Sequence, residues 1–197
     1  MATAAALWLL LAAAHAPAAP CASTDACLRM LEAAQRDLHS FTADFEQVKH
    51  VSLLDEPLTS SGRFSFTRPD RITLRIDQPQ PATVIINGKD VQIPNLPEQE
   101  RQAMAMVPVA DMFTRLGAIL SGSARALQDG FDVTAAADPE GHDTIRMHLV
   151  PRLDAWKRMF RGIDVVFAGS DLVPQAIRIE DGFGDRLEIT LRNVQRN

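Results

Sequence analysis

Hydrophobic residues recur at every second position along much of this chain. Ile72, Leu74 and Ile76 alternate with Thr73, Arg75 and Asp77, and Ile145, Met147 and Leu149 alternate with Arg146 and His148. Ile177 and Ile179 alternate with Arg178 and Glu180, and Leu187, Ile189 and Leu191 with Glu188, Thr190 and Arg192. A period of two places each apolar set on one face of a strand. One apolar and one wet face per strand predicts antiparallel pairing, because parallel strands are covered on both sides. Asn87-Gly88, Asp138-Pro139-Glu140-Gly141 and Asp181-Gly182-Phe183-Gly184-Asp185 supply hairpin turns between such runs. The pattern predicts roughly ten strands, enough that an open sheet would curl or close to protect its edges.

Helical spacing is scarce by comparison. Leu28, Leu31, Ala34, Gln35 and Leu38 form one stripe, which predicts a helix over Asp25 to Leu38 with Ser23, Thr24 or Asp25 as N-cap. A pair of short helices is expected somewhere in Glu98 to Leu127. The fold class is therefore mainly β with an α cover: one curved antiparallel sheet whose apolar concave face has little to cover it. Such a face is either filled by side chains or left as room for a ligand.

One strand carries a cation on its apolar side. In Gly62-Arg63-Phe64-Ser65-Phe66-Thr67-Arg68, the alternation puts Gly62, Phe64, Phe66 and Arg68 on one face and Arg63, Ser65 and Thr67 on the other. A guanidinium there must find carbonyls or a carboxylate, or else snorkel to water at the strand end.

With 197 residues and 46% apolar composition the chain can build one domain with a substantial core or cavity. Its net charge of -5 and pI of about 5.5 disfavour nucleic acid as a partner and give no electrostatic reason to sit on an anionic bilayer. Leu7 to Ala14 is a short apolar run followed by small residues and prolines. It reads as the core of an export signal over residues 1–19, cleaved near 18–22, although its start lacks Lys or Arg; residues 20–197 then form the single domain. Cys21 and Cys27 flank five residues before the first helix. A disulfide is the favoured reading; lipidation of Cys21 is a second, and metal binding is poor because no further thiol or imidazole completes a four-ligand set.

Signatures of catalysis are missing from the sequence. His39, His50, His142 and His148 stand apart without metal-ligand spacing, no serine occupies a G-x-S-x-G elbow, and Gly182-Phe183-Gly184 lacks the rest of a dinucleotide loop. The expectation is a protein that is not an enzyme and needs no cofactor. Met104 to Phe113 holds three of the seven methionines, adaptable side chains suited to a movable apolar lid as well as to ordinary core, with Gly117, Gly122 and Gly130 nearby.

Four segments in order carry a family resemblance: Ser40-Phe41-Thr42-Ala43-Asp44-Phe45-Glu46-Gln47, then Ser61 through Arg71, then Gln78-Pro79, then Val84-Ile85-Ile86-Asn87-Gly88-Lys89. Their spacing resembles the LolA family of periplasmic lipoprotein carriers, closely over residues 25–93 and more loosely over 144–193. The resemblance implies a half-open barrel, LolA/LolB-like, closed by short helices over a cavity for acyl chains. It places the family's latch arginine at Arg68 and gives Phe64, Phe66, Leu74, Ile76, Val84, Ile86, Met104, Met112 and Phe113 as the cavity wall. It further implies a periplasmic monomer, with acyl chains of lipoproteins or another envelope lipid as cargo, an inner-membrane donor complex and an outer-membrane acceptor. The sequence departs from the family after Lys89, has Leu74 where the carriers have a cavity tryptophan, and contains no tyrosine. A membrane-anchored acceptor with lipidated Cys21 and a structural envelope protein with a filled barrel are the rival readings.

Overall fold

The computed structural model describes residues 21–88, 90–94, 124–138 and 143–196. Ten strands lie in the described residues: β1 (Ser40–His50), β2 (Leu58–Thr67), β3 (Arg71–Gln78), β4 (Ala82–Asn87), β5 (Asp90–Gln92), β6 (Phe131–Ala137), β7 (Thr144–Pro151), β8 (Phe160–Ala168), β9 (Val173–Asp181) and β10 (Arg186–Arg196). They form one sheet in the order β5-β4-β3-β2-β1-β10-β9-β8-β7-β6. Every neighbouring pair is antiparallel. Two successive meanders are thus joined where β1 meets β10, the sheet is open and curved, and few helices cover it.

Local chemistry explains several element ends. Asn87 and Asp90 pair across the β4–β5 turn, where Gly88 takes a φ of 59° that a side chain would disfavour. Asp181 closes the β9–β10 turn: its Oδ1 accepts from the backbone N–H of Phe183 (2.8 Å) and Asp185 (2.9 Å). Helix α1 (Thr24–Ala34) starts at Ser23, whose hydroxyl accepts from the Ala26 N–H at 3.2 Å.

The helix is shorter than its stripe predicts. It ends at Ala34 with Gln35 as C-cap, whose N–H still donates to the Leu31 carbonyl at 3.0 Å. Beyond it the Gln35 Nε2 donates to the Leu172 carbonyl at 2.7 Å, and its own carbonyl accepts from Arg68 and the Leu38 N–H. Leu38 is buried all the same, but in a different part of the core from Leu28 and Leu31. Of the expected helical cover between Glu98 and Leu127, only a 3-10 turn, η1 (Ala124–Asp129), falls among the described residues. A one-turn helix, α2 (Asp154–Lys157), links β7 to β8.

Cys21 and Cys27 are bonded, with 5.0 Å between their Cα atoms, and the bridge fixes the start of α1. Beside it, Thr24 Oγ1 accepts from the Ala135 N–H (3.2 Å) and approaches its carbonyl (3.5 Å), capping the middle of edge strand β6. The double variant Cys21→Ser/Cys27→Ala should lose about 2 kcal/mol, the scale for opening so short a loop, read as a lower urea midpoint at unchanged slope. The expected signal segment, residues 1–19, lies outside the described residues.

Candidate functional site

The inner face of the sheet divides into two halves with different fates. Over β6 to β9 it is filled: Cys27, Leu28 and Leu31 of α1 pack with Leu127, Phe131, Trp156, Phe160 and the inward residues of β7 and β8. Phe131, Trp156 and Phe160 hold one another at ring separations of 5.2 to 6.4 Å. The second cluster spans β1 to β4 with Leu191 of β10 and Val173 of β9, and no residue of α1 belongs to it.

Burial in this second half follows a gradient along the strands. Near Arg68 the inward residues are sealed: Phe41, Phe66, Ile72 and Ile86 are fully or almost fully buried. On β2 to β4, two and four residues further along the same faces, Phe64, Leu74, Ile76 and Val84 are only half-buried and Ala82 is exposed, whereas Ala43, Phe45 and Leu191 in the same rows of β1 and β10 stay buried. Strand register makes them neighbours, with Phe64 opposite Leu74, Leu74 opposite Val84, and Ile76 opposite Gly62 and Ala82. Antiparallel pairing puts the hairpin ends 51–57, 79–81, 152–159 and 182–185 on one rim of the sheet, and the apolar face opens toward that rim. A hollow of about 520 Å³ wraps the end of the β3–β4 hairpin at this rim, lined by Ile76, Ala82, Ile93 and Pro94 but also by Arg75, Asp77 and Thr83 of the outer face.

Four of the expected wall residues, Phe64, Leu74, Ile76 and Val84, are therefore brought together as a half-open apolar surface, while Phe66 and Ile86 sit in its sealed end. Met104, Met112 and Phe113 lie outside the described residues. The expected wall did not include Phe41, Phe45, Ile189 or Leu191, although the alternation of Phe41, Ala43 and Phe45 carries the same signal as β2, and Ile189 and Leu191 lie on the apolar side of their own strand pattern. Phe41 touches both β2 aromatics, at ring separations of 5.3 Å from Phe64 and 5.8 Å from Phe66.

Arg68 stands at the sealed end. Its backbone N–H donates to the His39 carbonyl at 2.9 Å, and its Nη2 donates to the Gln35 carbonyl at the end of α1. The guanidinium is thus a second donor to a carbonyl past the last helical turn, beside the Leu38 N–H at 3.1 Å, where a cation is also favoured by the helix dipole. Its Nε–H and the Gln35 Oε1 are buried with no hydrogen-bond partner. Gln35 has no sequence signal: its partner, Leu172, is 137 positions away.

A larger hollow, about 600 Å³, crosses the opposite, outer face between two rows of residues. Its rim is ionic, with His148 Nδ1 at 2.7 Å from Asp164 and Arg178 at 3.2 Å from Glu188. These pairs satisfy one another at the surface, and the apolar inner face is the better candidate for a ligand.

At the open rim, Asp185 ties two turns together. Its Oδ1 accepts from the Ser52 N–H (2.8 Å) and hydroxyl (2.9 Å). The backbone bond above all, then the hydroxyl and the nearby Lys49, lower its pKa below the ordinary carboxylate range. With the folded value depressed, the tie is complete above the ordinary carboxylate pKa and is lost only as pH falls through the lowered one.

No curated protein matches this sequence. Among solved structures, a crystal structure of MucB superposes with a TM-score of 0.51 at 14% identity, over 87% of this chain and 58% of that one. The MucA/MucB complex of Pseudomonas aeruginosa gives 0.48 at 14% identity, over 86% of this chain and 56% of that one. A LolA superfamily protein from Nitrosomonas europaea gives 0.46 at 9% identity, over 89% and 94%. This chain spans little more than half the length of the MucB chains. The family model "Outer membrane lipoprotein carrier protein LolA" matches residues 36–197, and on that match the chain belongs to the LolA family.

Proposed function

We propose that this protein is a non-enzymatic periplasmic carrier that shelters acyl chains of lipoproteins, or of another envelope lipid, and moves them from the inner to the outer membrane. The observation that supports it most is the division of the inner face. Half the sheet uses α1 to complete a conventional core, while the half bearing Phe64, Leu74, Ile76 and Val84 is left only half-buried, with no helix packed on it among the described residues. Family membership makes lipid the natural occupant. Exchange with an inner-membrane donor and an outer-membrane acceptor belongs to the same reading.

Energetics restrict how such a carrier works. Acyl burial is worth about 0.8 kcal/mol per methylene, so complete burial of three chains would exceed the roughly 20 kcal/mol at which non-covalent affinity saturates. A carrier with that affinity would not release. Arg68 offsets part of the gain by stabilising the empty form, because its bond to Gln35 must yield if the helix end moves as cargo enters. The lid that Arg68 is expected to latch lies outside the described residues.

A fluorescent acyl probe tests the reading. Wild-type protein should bind it, and Arg68→Leu should bind it more tightly or release it more slowly, with Arg68→Lys intermediate because an ammonium lacks the planar fork. Loss of the Arg68 bond should also cost Arg68→Leu about 1–2 kcal/mol of stability, since the Gln35 carbonyl keeps the Leu38 N–H. A lower melting temperature with unchanged probe release would make Arg68 a structural strand-end residue. Failure of the wild type to bind, together with no lipid in native mass spectra of protein from its own envelope, would favour a filled barrel.

A further inference from the structure

Large apolar side chains that remain exposed among the described residues all lie at the same end of the sheet. Leu53, Leu54 and Leu58 belong to the β1–β2 connection and the residue after it, Phe183 to the β9–β10 turn, and Val150 and Leu153 flank the end of β7. Leu53 is 91% exposed and Phe183 86%. This is the rim toward which the inner apolar face opens. Random scatter of surface leucines needs no explanation, but confinement to one rim does.

The turns that carry these side chains are built to hold them out. Asp181 satisfies the N–H groups of Phe183 and Asp185, while Asp185 binds Ser52, so both apolar tips stand on turns that are tied to each other. Gly182 N–H donates to the Met159 carbonyl at 3.0 Å, which joins the third connection to the same platform. Leu53 and Phe183 are so fully exposed that neither is seated against another described part of this protein. A protein partner would have to offer a matching hollow for each, whereas the interface of a bilayer accepts spaced apolar anchors of any arrangement. The connection bearing Leu153 also carries Arg152, Lys157 and Arg158 against Asp154 alone. Of these, Arg158 is exposed and makes no ion pair among the described residues, so it is free to meet lipid phosphate. Other acids on the rim, such as Asp55 and Glu56, balance this charge and leave apolar contact as the main contribution.

We propose that this rim docks on the surface of a phospholipid bilayer, with Leu53, Leu54 and Phe183 entering the interfacial layer and the open apolar face brought to the lipid. The proposal rests on the carrier reading, since it supplies the place where an acyl chain would enter or leave.

Flotation of the purified chain with phosphatidylethanolamine/phosphatidylglycerol vesicles tests it, alongside binding of a soluble acyl probe. Wild type should float, and Leu53→Ser/Leu54→Ser/Phe183→Ser should partition at least roughly tenfold less, with unchanged melting temperature and probe binding. Raising the salt should weaken flotation less than the triple substitution does. If wild type does not float, or the triple variant floats equally well, the docking proposal is overturned; intact probe binding would then leave the carrier reading standing and assign the rim to a protein partner. Flotation with the expected loss in the triple variant, but no probe binding in either protein, would support the docking rim and reject the carrier reading.

Discussion

Leu74→Glu should lower affinity for a fluorescent acyl probe by at least tenfold, whereas Thr73→Glu, one residue earlier, should leave it nearly intact. Leu74 faces inward between Phe64 and Val84 and is half-buried. A carboxylate there loses hydration and gains no partner, so it either takes up a proton or draws water into the apolar face. Each 1.4 kcal/mol so lost is about a factor of ten in binding. Because the site opens toward the rim, the new carboxyl can reach water when no probe is bound, and the fold should survive. Thr73 pairs with Ser65 and Ile85 on the outer face, where an added charge meets solvent. Titration of both variants at neutral pH, with melting temperatures as a control, checks the prediction. Equal losses would show that the inner face of β3 is not where acyl chains bind.

Gly62→Val should be the most destabilising single substitution considered for the sheet. A Cβ at Gly62 would stand 1.9 Å from the Arg75 carbonyl oxygen and 2.9 Å from both the Arg75 carbonyl carbon and the Ile76 Cα. All three are backbone atoms of β3, so no rotamer change relieves the contact. The β2–β3 register shifts at Ser61/Gly62, and the strands approach so closely only because Gly62 has no side chain. Overpacking that side chains can absorb costs about 1–3 kcal/mol; here the backbone must move, and about 3 kcal/mol or more is expected. For a domain of this size that is a fall of roughly 6–12 °C in melting temperature. Gly169→Ala is the contrast. Gly169 has a φ of 83° but nothing within 4 Å of a built Cβ, so only backbone strain of about 1 kcal/mol should appear. Thermal denaturation of the two variants separates close approach from strain; a milder effect at Gly62 than at Gly169 would contradict the packing of β2 on β3.

Face by face, the sheet was legible in the sequence. Phe64 and Phe66 share the inner side of β2, Ile72, Leu74 and Ile76 that of β3, and Ile145, Met147 and Leu149 that of β7, as their alternation predicts. The reason is that parity is local: once a segment is extended, adjacent side chains must point to opposite faces whatever the rest of the chain does. The turn at Asn87-Gly88 and the cap at Ser23 were legible on similar grounds, since a few neighbouring atoms satisfy one another there.

Other features depend on residues that only folding brings together. The stripe through Leu38 predicts more helix than forms, and the residue at the helix end, Gln35, is held by Leu172 and Arg68, neither of which is near it in the chain. Phe66 and Phe64 are equivalent in pattern, yet one is sealed and the other half-open, a difference set by where each lies along the strand relative to the closed end. Nothing in the alternation distinguishes the half of the sheet that α1 fills from the half it leaves. Nor do the isolated sequences of Leu53 and Phe183 reveal that they share a rim, for that follows from the pairing of β1 with β10, which joins segments more than a hundred residues apart. Sequence thus determined the faces of the strands, through short-range stereochemistry; tertiary structure alone decided which apolar face was covered and which was left open, because covering a face requires distant elements to meet.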